Sequence, residues 1–342
     1  MHHLLLTIFA GLACLLVLIK QKILMIYYDL LVRVKMAVEC GIEATVTQGL
    51  EELAKQECEE TLKVVTRSRP GRVTFHIRLD ELISVYKLRS IEKFGVIIGT
   101  KYIQFTDDQN ENLNELKRFI HYLDWENGIS VWKHIKTNPT LGNIKFRVSC
   151  NRHGAHNFDS VIAASAVGSE VNEKFKWTVD LEDYDLELLL NIHGNDVGFA
   201  ISLTKSSLYR RNITHFGHTT LKSTIAHSML RLSAIKDHEI VCDPMCGTGS
   251  IPIEGKICWP TAHVLCGDFY AKDVEKTKMN VKALKTSLDI ELLQWDATRL
   301  PLANEQLNAI ITDLPFGKRY TNQQVKGFTT SQFLLVHWIK YC

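Results

Sequence analysis

At 342 residues, with 46% hydrophobic and 23% charged side chains, the chain has room for two or three globular domains and is too mixed in composition to be fibrous or disordered. A net charge of +2 excludes a global basic field, so any affinity for nucleic acid must come from local patches. Nine cysteines (14, 40, 58, 150, 242, 246, 258, 266 and 342) form no C-x-x-C pair, and several sit inside apolar strand-like runs, the pattern of reduced thiols in a cytosolic protein. Cys242, Cys246, Cys258 and Cys266 have no common zinc-finger spacing, so no metal is expected.

Leu4 to Ile19 is uncharged and is followed by Lys20 and Lys22. The run is a little short of the ~20 residues that span a bilayer. No basic stretch precedes it and no small-residue cleavage site follows, so an anchor with its lysines in the cytosol fits better than a cleaved signal peptide. Residues 1–35 are read either as that anchor or as an unusual transcript or gene-model start. Met36 opens MAVECGIEATVTQGLEELAKQE, a soluble-domain beginning.

From Met36 to about Leu203 strand and helix signals mix. Gly49 to Leu62 places apolar side chains at helical spacing, and RVTFHIRL (72–79) alternates as a half-buried strand. ELISVYKLRSIEKFGVII reads as a helix leading into a strand. The polar FTDDQNENLNELKRF and the Asn138-Pro139 and Leu141-Gly142 turns separate these from KFRVSCNRHGAHNF, which starts as a strand. A second α/β unit opens near Ile240: EIVC, a Gly-Thr-Gly turn and a helix, then HVLCGDF, a helix from Ala271 to about Leu288, IELLQWDA and LNAIITDLPF. This alternation predicts parallel βαβ units with ligands beyond the carboxyl ends of the strands.

Each of those strand ends carries an acid, Asp243, Asp268, Asp296 and Asp313. Singly, each reads more readily as a helix cap or turn residue, and only together, in this order, do they favour a cofactor. Gly247 and Gly249 let the backbone approach a ligand at a helix N-terminus. A Walker A loop is excluded because Ile257 stands where Ser or Thr would hold magnesium, and a dinucleotide fingerprint because Pro252 replaces its third glycine. S-adenosylmethionine (SAM) remains: its carboxylate at the glycine turn, its ribose on Asp268 roughly twenty residues downstream, its adenine amine on Asp296 with Trp295 packed beside the ring.

DPMCGTGSIPIEG, TDLPFGKR and SLYRRNITHFGHTTLKSTIA resemble the THUMP-domain-containing tRNA guanosine-N2 methyltransferases, and KFRVSCNRHGAHNF and YDLELLLNIHGNDVGFAISLT resemble their RNA-capture module. The nearest branch is the animal one acting on guanosine six of the tRNA acceptor stem. The resemblance, from about Ile42 to Arg319, implies an α+β THUMP region over 36–205, a partial Rossmann-like methyltransferase domain over 206–319 and a divergent tail over 320–342, with 1–35 as the extension. It implies that Asp313 and the carbonyls of Leu314 or Pro315 accept the hydrogens of the target amine while Phe316 stacks on the base. It also implies Thr219 and Thr220 as SAM contacts, although His218 stands where the family has proline, and Arg147, Asn151 and Arg152 as contacts to the tRNA 3′ end. Arg210, Arg211 and His215 are candidate phosphate contacts, or simply a solvated interdomain face.

The family sheet has seven strands and this sequence provides four before Arg319, so an unpaired edge beside the catalytic strand is expected. The expected activity is N2 methylation of a tRNA guanosine in the cytoplasm, with a small zinc-binding activator subunit as a further partner implied by the resemblance. The alternative is a catalytically impaired isoform that binds tRNA without turnover. A DNA adenine methyltransferase, which shares the acid-x-proline-aromatic turn, is disfavoured by the RNA-capture module.

Overall fold

The computed structural model describes residues 39–136, 143–284 and 287–314, together with Lys22 and Met25. The N-terminal apolar run, the Asn138-Pro139 and Leu141-Gly142 turns, Pro315, Phe316 and the tail lie outside the described residues. Among the described residues, no helix is long and apolar enough to cross a membrane.

Strand β1 (Glu39–Val46) leads to helix α1 (Glu51–Leu62), then β2 (Thr66–Arg69), β3 (Arg72–Arg78), a 3-10 run over Leu79–Lys87 and β4 (Ile91–Tyr102). Helices α2 (Gln109–Ile120) and α3 (Trp125–Ile135) follow, then β5 (Lys145–His153), α4 (Ser160–Phe175), β6 (Thr178–Val179), β7 (Leu186–His193) and β8 (Asp196–Ser202). The last part contains α5 (Ser223–Leu232), β9 (Ile240–Asp243), α6 (Ser250–Cys258), β10 (His263–Asp268), α7 (Ala271–Ala283), β11 (Ile290–Gln294) and β12 (Ala309–Ile310). The two sheets have the orders β2-β3-β1-β4-β8-β7-β5-β6 and β11-β10-β9-β12.

By packing, the chain divides into two units, neither contiguous in sequence. One gathers Phe75–Lys87 and Gly95–Ser202. Its β7 is buried from Leu186 to Ile192, as befits a central strand paired parallel with β5 and antiparallel with β8. Ala163, Val167 and Val171 recur every fourth residue and give α4 its buried stripe. The polar segment read as a separator is helix α2. Asp108 caps it by accepting from the N–H groups of Asn110 and Glu111, and Leu116, Phe119 and Ile120 supply a buried face that its net polarity concealed. Likewise, 79–87 forms 3-10 turns rather than an α-helix.

The other unit gathers Glu43–Thr74, Leu88–Phe94 and the described residues from Leu203 onward. Its sheet is parallel throughout, β10 lying between β11 and β9, and β12 pairing β9 through Ala309↔Val241 and Ile310↔Cys242. The predicted strand, turn and helix alternation is present, with α7 ending at Ala283 rather than near Leu288. Ala226 and Leu230 of α5, Ile251 of α6, Val241 and Ile311 form one core cluster, and Cys242, Leu265 and Trp295 another.

Candidate cofactor and base site

Hydrophobic pairing delivers the site: β9 and β10 bury their apolar runs and end on Asp243 and Asp268, while Asp296 and Asp313 follow two and three residues after the ends of β11 and β12. Asp243, the last residue of β9, is 3% exposed and accepts from the Met245 N–H at 3.2 Å. Burial, reinforced by the charges of Asp268 and Asp313 and partly offset by the Met245 N–H, raises its carboxyl to about 7. The charges of Asp268 and Asp313 thus both reach Asp243.

Gly247 (φ 56°) and Gly249 (φ 88°) take left-handed conformations that carry the chain from β9 into α6. A Cβ on Gly249 would stand 2.8 Å from Thr277 Cγ2, so the residue is fixed by space as well as by angle. Pro252 is tolerated because it falls in the first turn of α6, where N–H groups have no intrahelical acceptor. Asp268, at the end of β10, accepts from Gly247 N–H at 2.9 Å on one oxygen and from Tyr270 N–H at 3.0 Å on the other. Each oxygen keeps acceptor capacity for a hydroxyl. Phe269 beside it is 54% exposed, a ring that the sequence reading did not single out.

Asp296 is a surface acid, held below the usual carboxylate range by the Thr298 N–H and hydroxyl, at 2.9 and 2.7 Å. Trp295 is turned into the core beside Cys242 and Leu265, its indole N–H donating to the Pro244 carbonyl at 2.9 Å. Thr220 accepts from Gly217 N–H at 2.8 Å and lies 3.3 Å from the Thr248 hydroxyl, next to the glycine turn, whereas Thr219 is exposed. Asp313 follows β12, half-buried, and burial raises its carboxyl above the usual range; Leu314 is exposed. Pro315 and Phe316 are outside the described residues.

The basic candidates separate. Arg210 is exposed, its guanidinium 5.6 Å from the Tyr209 ring and 5.9 Å from Phe216. Arg211 instead turns inward and donates to the carbonyls of Leu88 (2.7 Å) and Leu208 (2.9 Å); burial, then the neighbouring Arg89, lowers it to about 10. Arg147 donates to buried Glu187 at 2.7 Å and lies 4.0 Å from the Tyr184 ring. Asn151 donates to Asn191 at 3.1 Å, and Arg152 to the Gly154 carbonyl at 2.9 Å. His215 contacts the Thr214 hydroxyl at 2.9 Å through Nδ1. Among the described residues, the group spaced to hold a metal is His227, Glu254 and Cys258, not the four cysteines. Both Glu254 oxygens already accept from Arg89 (2.6 and 2.7 Å), and one also accepts from Asn212 (2.9 Å).

A parallel α/β sheet with a glycine turn, a ribose-type acid on the next strand and an acid-led turn on the fourth defines a SAM-dependent methyltransferase. The chain matches the RMKL-like methyltransferase domain over residues 210–336, running beyond Arg319, and the THUMP domain over 110–202. It is 33% identical over 373 residues to the tRNA (guanine(6)-N(2))-methyltransferase THUMP3 of Mus musculus, covering 81% of this chain and 74% of the relative, and equally identical over 374 residues to the human protein of that name. In fold it resembles TrmN from Thermus thermophilus (TM-score 0.67, 24% identity, 82% and 80% coverage) and SMU.472 complexed with SAH (TM-score 0.64, 16% identity, 83% and 82% coverage). The chain belongs to the THUMP-domain tRNA guanine-N2 methyltransferase family, and it is a methyltransferase with a THUMP domain and a Rossmann-like fold.

Proposed function

We propose that this chain transfers the methyl group of SAM to the exocyclic N2 of a guanosine in tRNA, at position six of the acceptor stem. The observation that carries the reading is the convergence of Asp243, Asp268 and Asp313 around the Gly247–Gly249 turn, in a chain 33% identical to relatives named for that reaction. SAM supplies an electrophilic methyl group. Gly247, Gly249 and the start of α6 would hold its carboxylate, and Asp268 its ribose, with Thr220 bracing the turn and Asp243 beneath it. Asp296 would take the adenine amine; Thr219 is the outlying candidate.

The amine of guanine is a poor nucleophile because its lone pair is delocalised into the ring. Ionised Asp313 and the carbonyls of Leu314 or Pro315 would accept its hydrogens, and Phe316 would stack on the base; preorganised acceptors and positioning supply the rate. No covalent intermediate on the protein is needed.

Residues 36–205 act as the RNA-binding region in this reading and the stretch from 206 through the end of the family match at 336 as the methyltransferase domain. Arg210 and His215 are the phosphate contacts best supported by exposure, with Arg147, Asn151 and Arg152 toward the 3′ end. The cytoplasm and a small zinc-binding activator subunit complete the proposal. The impaired-isoform alternative is set aside, since the match to the methyltransferase domain extends to residue 336. Incubation with labelled SAM and unmodified tRNA, with and without the activator, followed by nucleoside mass spectrometry, tests the reading: N2-methylguanosine is expected, and its absence under both conditions would sink the proposal.

A further inference from the structure

Helix α7 carries two polar side chains, Thr277 and Asn280, that are each 0% exposed and lie outside the acid-and-glycine pattern. Residues three apart share a helix face, and this face meets the glycine turn. The Thr277 hydroxyl donates to the Gly247 carbonyl at 2.9 Å. The Asn280 amide nitrogen donates to the Thr248 carbonyl at 2.9 Å and to the His215 carbonyl at 3.1 Å. Its oxygen accepts from the backbone N–H groups of Thr214 (2.9 Å) and His215 (2.7 Å), and from the Thr214 hydroxyl at 3.2 Å. Backbone donors meet one end of the amide and backbone acceptors the other, which fixes its orientation because main-chain groups cannot exchange roles.

One side chain thus ties the Thr214–His215 backbone to the turn. Two consecutive turn carbonyls are held against α7, away from where a cofactor carboxylate would meet carbonyl oxygens as like partial charges. We propose that Thr277 and Asn280 are positioning residues for SAM, Thr277 fixing the turn itself and Asn280 making the order of the 214–215 segment and of the turn depend on each other. The inference rests on the cofactor reading above.

The test combines titration of the full chain with S-adenosylhomocysteine and amide hydrogen exchange of the ligand-free protein. Asn280→Asp sets a carboxylate oxygen against two carbonyls, while Thr277→Val keeps shape and loses the hydroxyl. Each should weaken S-adenosylhomocysteine binding about tenfold or more, the loss of one buried hydrogen bond and the stranding of its partner. Thr277→Ser, which keeps the hydroxyl, should bind within a few-fold of the parent. The KM for SAM should rise with kcat at saturating SAM little changed, and a global loss of stability would not produce that split. Exchange should quicken at 247–249 in both variants and at 214–215 in both as well, directly in Asn280→Asp and, more weakly, through the loosened turn in Thr277→Val.

Parent-like binding and exchange in folded Thr277→Val would overturn the role of Thr277. Exchange in Asn280→Asp that quickens at one segment alone would overturn the coupling. A parent chain that binds no S-adenosylhomocysteine would defeat the cofactor reading instead, and the exchange pattern would still decide whether α7 clamps the turn.

Discussion

Asp243 is buried at the end of β9 and Asp313 half-buried after β12, and their burial has different consequences. In the proposed reaction Asp313 serves as an ionised acceptor, and burial raises its carboxyl. Methylation should therefore decline in mild acid, over a range above the usual carboxylate titration, when kcat is measured against pH. Asp313→Ala should cost about 10²–10³ in kcat, the scale of one preorganised polar group, with tRNA binding retained in a filter or gel-shift assay. For Asp243 the folded carboxyl, near 7, lies above its unfolded value. The folded state then binds more protons between those values, so this group's contribution to stability is full below the unfolded value and is lost as pH rises through about 7. Asp243→Asn should flatten the decline in melting temperature between mildly acidic and mildly alkaline pH; an unchanged slope would refute the assignment.

At the scale of elements, α6 is held at its start and at its middle. Its N-terminus is the glycine turn. At its midpoint, Glu254, 1% exposed, receives a bidentate pair from Arg89 and a third bond from Asn212. Removing one partner of such a buried pair strands the other charge, so Arg89→Ala should cost about 3–5 kcal/mol by denaturant unfolding, while the deletion of an exposed pair such as Lys278 with Glu275 should cost at most about 1 kcal/mol. Glu57 of α1 contributes in acid. Against burial, which would raise it, the His227 ring and the N–H groups of Arg89 and Ser90 hold its carboxyl down at about 2. Its stabilisation is present above the ordinary glutamate range and is lost as pH falls toward 2, a window more acid than that of Asp243 and of opposite sign.

On the whole-molecule scale, the catalytic sheet does not share a compact unit with its own sequence stretch alone. Glu43–Thr74 and Leu88–Phe94 belong to the same unit, through Glu57 with His227, Arg89 with Glu254 and Lys222 with Glu92. A fragment starting at Leu203 would leave buried Glu254 and His227, and Lys222, without these ionic partners. It should melt well below the full chain and be cleaved faster in limited proteolysis. Equal protease resistance would contradict the integral role of the N-terminal segments.

Much of this was legible in the residues. The alternation of apolar strand runs with helices, the acids closing the strands and the Gly-Thr-Gly turn fixed the parallel sheet and the glycine-turn site, because a period of apolar side chains is a local property that burial then enforces. Helix α2 was hidden, since its capping Asp108 and spaced apolar face lie in an otherwise polar stretch. The charge of Arg211 says nothing of direction, and only packing turned its guanidinium onto the Leu88 and Leu208 carbonyls. The same holds for Trp295, for Arg89 with Glu254, and for Asn280 clasping Thr248 and His215 across 32 and 65 residues. Sequence determined which elements form and which acids end them. Tertiary structure alone decided which polar groups are taken out of water and so must find one another, because that requirement arises only when distant segments close over the same interior.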